Sequence, residues 1–368
     1  MTKTDINKYF NIAIKAAEKA RGKCSPNPFV GSVIVKNNKV IAIGWTLQYG
    51  GDHSEIQAIK KAGIAAKGAT LFVTLEPCSH YGKTPPCAKA VIDAGIQEVY
   101  IGISDPNPKV SGKGIEMLKN AGINVHCGFL EDKIKKQLEY YLCHIQKGRP
   151  FVTLKTAFSL DGKYAAEDGS AKWITGEKAR KYVHKLRSEN DVVLTGIKTI
   201  LADDPMLNVR LPGKVKQPLR VVLDPLLKIP WQSRFINSLS EFPGMIISSN
   251  SMLKTEQAKA LRQKGAIIQG LDCENNRFNL SEVLNLLHNM DFYSIFLETG
   301  SGLAEAFLKE NLIDKFIFFY GAKILGGTKS PLPNLGLNNI DQAILMRDIS
   351  YRKIEQDIMV IAYPASIT

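Results

Sequence analysis

Hydrophobic positions along the first 145 residues switch repeatedly between helix spacing and strand spacing. Apolar residues recur at helical spacing over residues 6–19, which predicts an amphipathic first helix. Two apolar runs meet at Asn37-Asn38 in FVGSVIVKNNKVIAIGW and predict a β-hairpin. Further strands are expected at ATLFVTLE, QEVYIGIS and INVHCG, and further helices at SEIQAIKKAG, residues 85–94 and SGKGIEMLKNAG. This alternation predicts a mixed sheet with helices on its faces.

The same alternation restarts after one polar helix, EDKIKKQLEYYLCHIQKG, which is expected to end at Gly148 before Pro150. Strands are expected at FVTLKTAFSLDGKYA, VVLTG, PLRVVLD, PGMIISS, AIIQG, SIFLE and KFIFFYGAKIL. Helices such as EKARKYVHKLR and LAEAFLKE fall between them. The pattern therefore predicts two α/β domains, residues 1–146 and 147–368, a division that suits a chain of 368 residues.

Composition narrows the class of protein. Hydrophobic residues make up 45% and charged residues 23%, which is the usual balance for a globular protein. No run of about 18 apolar residues is present, so no membrane partner is expected. The N-terminus lacks the apolar core of a signal peptide and six cysteines are too sparse for a disulfide framework, so we expect a cytoplasmic protein. The net charge of +13 favours an anionic partner, either nucleic acid or a small phosphorylated substrate.

Three potential zinc ligands, His53, Cys78 and Cys87, follow one another in the first half. One imidazole and two thiolates leave the fourth position of tetrahedral zinc open for water, as in catalytic rather than structural sites. Zinc lowers the pKa of a bound water to about 7. Glu55, in His53-Ser54-Glu55, is a carboxylate that could carry the proton of this water to a leaving group.

The spacing of these residues requires particular helix starts. Side chains two apart in a helix do not face each other, so His53 and Glu55 converge only if a helix begins there. Thr84-Pro85-Pro86 likewise predicts a helix N-terminus at Cys87, where the helix dipole favours a thiolate. A lone His-x-Glu usually occurs by chance, but two Pro-Cys elements at strand-to-helix junctions favour a zinc site. His80 lies between the cysteines, and we expect it to face the loop or the substrate.

The pattern is that of the zinc nucleobase deaminases, in which a glutamate that is not a ligand shuttles protons. Eight residues, SHYGKTPP, separate the two cysteines, in place of the short spacing expected of a tRNA or cytidine deaminase.

In the second half, the strand IFLE runs into Thr299-Gly300-Ser301-Gly302 and a helix, where backbone N–H groups can approach a phosphate. Taken alone, this glycine-containing turn is only weak evidence for a phosphate-binding site. Residues 201–205 are expected to form a loop, and Trp173 taken alone is expected in the core.

PNPFVGSVIV, HSE, GATLFVTLEPCSHYGKTPPC and DPNPKVSGKG together resemble the deaminase half of the bifunctional riboflavin-biosynthesis deaminase/reductases. That family deaminates 2,5-diamino-6-ribosylamino-4(3H)-pyrimidinone 5′-phosphate, then reduces its ribosyl group to ribityl with NADPH. The resemblance implies a cytidine-deaminase-like three-layer domain, with Zn2+ held by His53, Cys78 and Cys87 and Glu55 as the proton shuttle. It places three residues near the substrate: Asn27, Lys83 and Thr84. The lysine is also a cation suited to a phosphate.

FVTLKTAFSLDGK, KWITG, TGIKTILADDP, LNVR, ETGSG and AKILGG resemble the reductase half of the same family, which is dihydrofolate-reductase-like. The implied NADPH contacts are Ala157, Trp173, Thr199, Asp203, Gly300, Ser301 and Gly302. The implied substrate contacts are Arg187, Leu207, Arg210 and Glu298, and two arginines suit a 5′-phosphate. We hypothesise that Lys155 and Glu298 are catalytic and stabilise the opened imine during hydride transfer. The resemblance also implies a homo-oligomer.

Five positions depart from the family pattern. Ser54 replaces a common alanine, a change we expect to be harmless, and Thr46 stands where a histidine is usual. In the second half, Ala171 replaces a serine, Asn208 a threonine and Thr299 a glycine. We expect the first-half threonine to bear on substrate affinity, and the second-half changes to bear on reductase turnover.

Two alternatives stay open at this point. The charge of +13 would also suit a nucleic-acid-binding protein or an RNA-editing deaminase, but the long cysteine spacing and the lack of a basic-aromatic cluster argue against both. A single-activity enzyme with one relic half is favoured only by the departures at Thr46 and Ala171. No arginine stands out as a 2′-phosphate ligand, so the residues alone do not separate NADPH from NADH.

Overall fold

The computed structural model describes residues 1–81, 85–213, 215–330, 332 and 335–365. The chain forms two compact units, Met1–Arg149 and Pro150–Thr368, and each is described by itself. Among the residues described, no helix is both long and apolar enough to cross a membrane.

The first unit contains a five-stranded mixed sheet in the order β2-β1-β3-β4-β5. Its strands are β1 Gly31–Lys36, β2 Lys39–Trp45, β3 Thr70–Leu75, β4 Glu98–Ile103 and β5 Asn124–Cys127. Strand β1 runs antiparallel to β2 and β3, whereas β3, β4 and β5 are parallel, so the predicted mixed sheet is confirmed. The predicted hairpin turn is also confirmed, because Asn37 and Asn38 take the positive φ angles, 50° and 59°, of a tight hairpin turn.

Helices cover both faces of this sheet: α1 Lys3–Ala17, α2 Ser54–Ala62, α3 Cys87–Asp93, α4 Lys113–Asn120, α5 Glu131–Gln137 and α6 Glu139–Lys147. Neighbouring residues on a strand point to opposite faces. Accordingly, a Cβ on Gly31 would lie 1.9 Å from Ala13 O of α1, while the hydroxyl of Ser32 lies 2.6 Å from that of Ser54 in α2. The unit therefore has three layers.

One predicted helix is wrong. The segment expected to form a single polar helix before Gly148 is two helices, α5 and α6, which are separated at Leu138. Ile134 and Leu138 are fully buried, and Tyr141 on α6 donates hydrogen bonds to both oxygens of Asp105, at 2.8 and 3.1 Å. These long-range contacts set the course of the chain, and no proline or glycine marks the break.

The second unit contains a nine-stranded sheet in the order β10-β9-β8-β7-β13-β6-β14-β16-β15. Its strands are β6 Phe151–Ser159, β7 Val192–Gly196, β8 Leu219–Leu223, β9 Gly244–Ser249, β10 Ile267–Leu271, β13 Ser294–Leu297, β14 Lys315–Gly321, β15 Met346–Ile354 and β16 Asp357–Pro364. A separate two-stranded ribbon is formed by β11 Cys273–Glu274 and β12 Arg277–Phe278. In the order across the sheet, the seven strands from β10 through β14 are parallel. Strand β16 pairs antiparallel with β14, and β15 pairs antiparallel with β16.

Helices pack on both faces of the large sheet: α7 Glu177–Ser188, α8 Ile197–Asp203, α9 Arg234–Asn237, α10 Glu256–Gln263, α11 Leu280–Asn289 and α12 Ser301–Lys309. One apolar cluster joins α7, α8, α9 and α10 to the sheet, and a second joins α11 and α12 to it. Strand β13 inserts between β7 and β6, which reverses the strand order there. In open parallel sheets ligands bind outside the carboxyl ends of strands at such a reversal.

Two second-unit predictions need correction, and one hairpin of this unit was missed. The strand expected at KFIFFYGAKIL ends at Gly321, where a Cβ would lie 2.1 Å from Ile174 O. Residues 201–205 were expected to form a loop, but the first three of them are helical because α8 extends to Asp203. The hairpin of β15 and β16 was not predicted, since β15 is exposed along most of its length and therefore carries no apolar alternation.

Candidate active sites

The three predicted zinc ligands are brought together by two helix starts and one strand end. His53 is the extended residue immediately before α2, and Cys87 is the first residue of α3. Cys78 lies in the loop that follows β3. The predicted helix start at His53 is therefore confirmed, and Cys87 lies at a helix N-terminus as predicted, although this helix begins at Cys87 and not at residue 85. A Cβ on Gly44 would lie only 2.0 Å from Ser54 O, so this glycine lets the start of α2 approach β2.

The spacing of the ligand atoms fits a zinc ion. His53 Nδ1 lies 3.3 Å from Cys87 Sγ and 3.7 Å from Cys78 Sγ. The three ligand atoms all lie within 4.8 Å of one another. Tetrahedral zinc, with bonds of about 2.3 Å to sulfur and about 2.05 Å to nitrogen, separates these two ligand types by about 3.6 Å. Histidine and cysteine are also ligand types that zinc prefers.

The cysteines are poised to bind a cation. The pKa of Cys78 is lowered to about 4, first by a hydrogen bond from the Cys87 thiol and then by a hydrogen bond with His53. The Cys87 backbone N–H, at 3.4 Å from Cys78 Sγ, adds to this effect. The pair therefore presents a thiolate at neutral pH, which is the form that binds metal.

Glu55 lies in the first turn of α2 and is only 3% exposed. Burial raises the pKa of its carboxyl group, so a proton is held more readily there than in water. Ser54 Oγ donates a hydrogen bond to Glu55 Oε2 at 2.8 Å, and the Ser32 hydroxyl lies 2.6 Å from that of Ser54. The serine that departs from the family pattern thus contacts the predicted proton shuttle directly.

Glu76 anchors the loop beside the predicted zinc ligands. Its buried carboxylate accepts hydrogen bonds from the backbone N–H groups of Asp105, Gly112, Gly114 and Ile115, at 3.0–3.2 Å. Three of these donors belong to the start of α4. A Cβ on Gly114 would lie 2.0 Å from Pro77 O, which explains the glycine in the DPNPKVSGKG segment.

The remaining first-unit predictions have different outcomes. Asn27 is partly buried and its backbone carbonyl accepts a contact from the Cys24 thiol at 3.2 Å. Lys83 and Thr84 lie outside the described residues. His80 is exposed and is not part of the metal-ligand group. Thr46 is buried, and its Oγ accepts a hydrogen bond from Val30 N–H at 3.0 Å, so its side chain stabilises the end of the hairpin.

In the second unit, Glu298 follows β13 directly and pairs with two cations. Arg187 donates to it from Nε at 2.5 Å and from Nη2 at 3.1 Å. Lys155 Nζ, on β6, lies 3.8 Å from Glu298 Oε2. The acid and the lysine are 12% and 19% exposed. The reversal of the strand order therefore places the two predicted catalytic residues side by side.

Burial and charge shift the pKa values at this site. Burial, and then the nearby Arg187, lower the pKa of Lys155, although Glu298 opposes both. Burial alone would raise the pKa of Glu298, but the charges of Arg187 and Lys155 outweigh it and the net shift is downward. Burial, Arg187 and Arg210 lower the pKa of His184 to about 4. This histidine is therefore neutral at physiological pH.

The loop that carries the other predicted substrate residues is held against this group. Asn208 O accepts a hydrogen bond from Arg187 Nη1 at 2.8 Å, and Asn208 Oδ1 accepts one from Arg210 Nη1 at 2.8 Å. His184 Nδ1 lies 3.2 Å from Asn208 O. Leu207 is only 2% exposed and packs in the apolar core, so only its backbone remains for a ligand contact.

Two of the predicted cofactor residues meet at the sheet edge. Gly300 N–H, at the start of α12, donates to Thr199 Oγ1 on α8 at 3.3 Å. A Cβ on Gly300 or Gly302 would meet no atom within 4 Å, so the space beside this helix start is open. Ser301 is the first residue of α12, Asp203 is the exposed last residue of α8, and Ala157 is a partly buried residue of β6.

Trp173 is 60% exposed, so the expectation of a core position was wrong. The Arg180 guanidinium lies 4.5 Å from the centre of the indole ring, and Lys323 Nζ donates to Trp173 O at 2.6 Å. These two cations hold the residue at the surface, where its apolar ring is available to a flat ligand.

His184 and Glu76 are functional candidates that sequence reasoning missed. His184 stands alone in a helix pattern, which by itself favours a structural role, although its position three residues before Arg187 puts both on one face of α7. Glu76 precedes a predicted zinc ligand, but its backbone donors are about 30 to 40 residues away. No local pattern shows that contact.

Comparisons with known proteins assign each half of the chain to a family. The family model of the cytidine and deoxycytidylate deaminase zinc-binding region matches residues 3–103, and that of the RibD C-terminal domain matches residues 150–360. The chain is 39% identical over 355 residues to the riboflavin biosynthesis protein RibD of Aquifex aeolicus, covering 96% of each chain. It is likewise 39% identical over 359 residues to RibD of Bacillus amyloliquefaciens, covering 97% of this chain and 95% of the relative.

Solved structures give the same result. A structure of Acinetobacter baumannii RibD superposes with a TM-score of 0.89 at 35% identity and covers 99% of both chains. A Thermotoga maritima diaminohydroxyphosphoribosylaminopyrimidine deaminase/5-amino-6-(5-phosphoribosylamino)uracil reductase superposes with a TM-score of 0.86 at 34% identity. It covers 98% of this chain and 99% of its own.

Fold and sites together define a bifunctional enzyme, a cytidine-deaminase-like domain joined to a dihydrofolate-reductase-like domain. The chain belongs to the family of the riboflavin biosynthesis protein RibD. It therefore combines a zinc-dependent deaminase with an NADPH-dependent reductase in riboflavin biosynthesis. The fold class, the bifunctional activity and the two cofactors predicted from the sequence are confirmed.

Proposed function

We propose that residues 1–146 deaminate 2,5-diamino-6-ribosylamino-4(3H)-pyrimidinone 5′-phosphate and that residues 147–368 reduce the ribosyl group of the product with NADPH. The product of the two steps is 5-amino-6-(5-phosphoribitylamino)uracil. The observation that carries this proposal is the presence of a complete set of reacting groups in each unit, a His-Cys-Cys-Glu group in one and a Lys-Glu-Arg group in the other. The activities named for the Thermotoga maritima relative support the choice of substrate.

In the first unit, His53, Cys78 and Cys87 hold the zinc ion, which when bound supplies an activated water at neutral pH. Glu55 accepts a proton from the attacking water and passes it to the adjacent ring nitrogen, while the oxygen of this water forms a bond to C2 of the pyrimidine and the π bond between C2 and that ring nitrogen opens. Glu55 then carries the proton of the new hydroxyl group to the amino group, the bond between C2 and the amino nitrogen breaks, a C2=O bond forms, and ammonia leaves. The hydrogen bond from Ser54 keeps the Glu55 carboxyl in one orientation during both transfers.

In the second unit, NADPH supplies the hydride for C1′ of the ribosyl group. Opening of the sugar ring requires a proton at the ring oxygen and leaves a cationic imine at C1′. Lys155 supplies this proton, which its lowered pKa favours, and the Glu298 carboxylate stabilises the cationic imine. Arg187 holds the carboxylate in place through two hydrogen bonds.

The same contacts support part of the assignment of the binding residues. Arg187 is engaged by Glu298 and Asn208, whereas Arg210 is exposed and is the better placed of the two for the 5′-phosphate. We assign the open start of α12, Gly300 to Gly302, to the NADPH phosphates, together with Thr199. Ala157, Trp173, Asp203 and the backbone of Leu207 complete the predicted set. Asn27, Lys83 and Thr84 stay the predicted contacts of the deaminase substrate.

We also propose a homo-oligomer that forms through the second unit. Tyr351 on the edge strand β15 is 83% exposed and is aligned across the sheet with Val360 and Phe318. Ile349, on the same strand, is 62% exposed. An apolar surface of this kind at an open sheet edge is typical of an interface between copies of one chain.

The expected compartment is the cytoplasm, and no nucleic-acid partner is expected. All six cysteines lie in the described part of the chain and none of them forms a disulfide, which suits a reducing compartment. Salt-sensitive binding of tRNA at low protein concentration would contradict the second expectation, because it would show that the basic charge serves a polyanion.

The function is tested by a mass-spectrometric assay with the zinc-loaded chain and the diaminopyrimidinone phosphate. Ammonia release without NADPH, followed by a product heavier by two hydrogens only when NADPH is added, would support both activities and their order. Deamination without NADPH oxidation would contradict the proposed reductase residues. No reaction at all would contradict the proposed substrate.

A further inference from the structure

Arg220, the second residue of β8, is the largest fully buried side chain of the described residues, with 0% exposure. Burial lowers the pKa of its guanidinium to about 10, so it remains a cation at neutral pH. No carboxylate of the described residues pairs with it. A buried charge is costly unless its hydrogen bonds are satisfied, so the surroundings of this arginine must provide acceptors.

The protein provides one acceptor for each of its five N–H groups. Nη1 donates to Met206 O at 2.9 Å and to Ser238 Oγ at 2.8 Å. Nη2 donates to Phe242 O at 2.5 Å and Ser238 O at 3.4 Å, and Nε donates to Pro243 O at 3.3 Å. Four acceptors belong to residues 238–243, and the fifth belongs to the loop that follows α8.

That loop, residues 204–210, has an unfavourable backbone. Asp204 and Leu207 have φ angles of 41° and 57°, a left-handed region that side chains other than glycine disfavour. The Leu207 side chain is fixed in the core. The carbonyl before it, Met206 O, is held by Arg220, and the carbonyl after it, Asn208 O, is held by Arg187.

We propose that Arg220 is a positioning residue of the reductase: through Met206 O it holds residues 206–210, and so places Asn208 and Arg210 at the substrate. It contacts no reacting atom itself. The planar fork of a guanidinium holds two chain segments at once through five hydrogen bonds, which the three rotating donors of a lysine do not reproduce. This inference rests on the proposed substrate role of Arg210.

The experiment compares Arg220→Lys and Arg220→Met with the wild type in the full zinc-loaded chain. Reductase kcat and KM are measured with the deaminated substrate, the NADPH Kd by fluorescence, and hydrogen exchange in the peptide covering residues 204–211. We expect KM to rise about ten-fold or more, with little change in kcat or in NADPH affinity. We also expect faster exchange in this peptide and unchanged ammonia release by the first unit.

Leu287→Ala is the matched control, because Leu287 is equally buried but belongs to the other apolar cluster. It should lower the denaturation midpoint without raising KM. The inference would be overturned if Arg220→Lys kept the wild-type KM and the wild-type rate of hydrogen exchange. It would also be overturned if the arginine and leucine variants showed equal changes in KM, kcat and NADPH affinity. If the wild type itself fails to reduce the substrate, or if Arg210→Met leaves KM unchanged, the proposed function fails instead.

Discussion

Arg187 and Glu298 form a bidentate ion pair at the carboxyl edge of the second-unit sheet, although 111 residues separate them in the chain. The pair brings α7 to the end of β13, and Lys155 on β6 joins it at 3.8 Å. In the proposed mechanism the cationic imine forms beside this carboxylate, so we expect the charge balance of the three residues to set the rate of reduction.

Removing the charge of Glu298 or of Lys155 should therefore impair the reductase activity and leave the deaminase activity unchanged. We expect Glu298→Gln and Lys155→Met to lower reductase kcat by about 100-fold or more, because each removes a preorganised charge next to the developing imine. NADPH oxidation and ammonia release are measured on the same preparations. Glu305→Gln, which removes a surface carboxylate that pairs with Lys309, should change neither. Normal reduction by both active-site variants would contradict the assignment.

Zinc content should separate the ligands from the proton shuttle. Cys87→Ser and His53→Ala should lose the metal and the deaminase activity together, whereas Glu55→Gln should retain the metal and lose about 100-fold or more in kcat. Metal is measured by plasma mass spectrometry after dialysis against a chelator. The exposed thiol of Cys127 provides the control, since Cys127→Ser should keep both metal and activity. Loss of zinc from Glu55→Gln would show that this carboxyl is a ligand.

Two glycine substitutions should separate an effect on NADPH binding from an effect on stability. Gly300→Ala adds a Cβ that meets no protein atom within 4 Å at an ordinary φ of −73°, so the thermal midpoint should stay unchanged while NADPH binding weakens. Gly44→Ala places a Cβ 2.0 Å from Ser54 O and should destabilise the first unit by about 1–3 kcal/mol. Calorimetry and NADPH titration of both variants check this pair. Unchanged NADPH affinity in Gly300→Ala would contradict a phosphate contact at α12.

Acid should weaken the second unit through His184. Its pKa is about 4 in the folded chain and its ordinary value is 6.5, so the unfolded chain binds more protons between these pH values. Stability is therefore complete above about pH 6.5 and falls as the pH drops toward 4. Arg187, Arg210 and Glu298 are the charged groups that act on it. We expect a loss on the order of 1 kcal/mol after allowing for solvent at the ring.

Urea denaturation of the second unit between pH 7 and pH 4 measures this effect. His184→Gln, which keeps a polar side chain without titrating, should flatten the pH dependence. An identical slope in wild type and variant would assign the acid sensitivity to other groups.

The open edge of the second unit gives a prediction on assembly. Tyr351→Asp should shift the chain from oligomer to monomer in sedimentation velocity, because it places a charge in the proposed apolar interface. Lys254→Asp, an exposed lysine of the second unit that lies outside β15, is the control for a change of charge. A wild-type monomer at micromolar concentration would contradict the interface.

The sequence alone determined the features that depend on local patterns. Asn37-Asn38 between two apolar runs specified the hairpin, and Pro-Cys elements after strands specified helix starts. The zinc ligands were predicted because each of them sits at an element boundary that the chain itself marks. Motifs that match a family added the reductase residues, including Lys155 and Glu298.

Only the tertiary structure decided which distant groups meet. The carbonyls held by Arg220, the carboxylate held by Arg187 and the backbone N–H groups held by Glu76 all belong to other segments of the chain. Trp173, taken alone, was expected in the core, whereas in the folded chain it lies at the surface beside Arg180. A local pattern reports only near neighbours and burial tendency. Contacts across 30 to more than 100 residues arise when strands align in a sheet, and no periodicity encodes their partners.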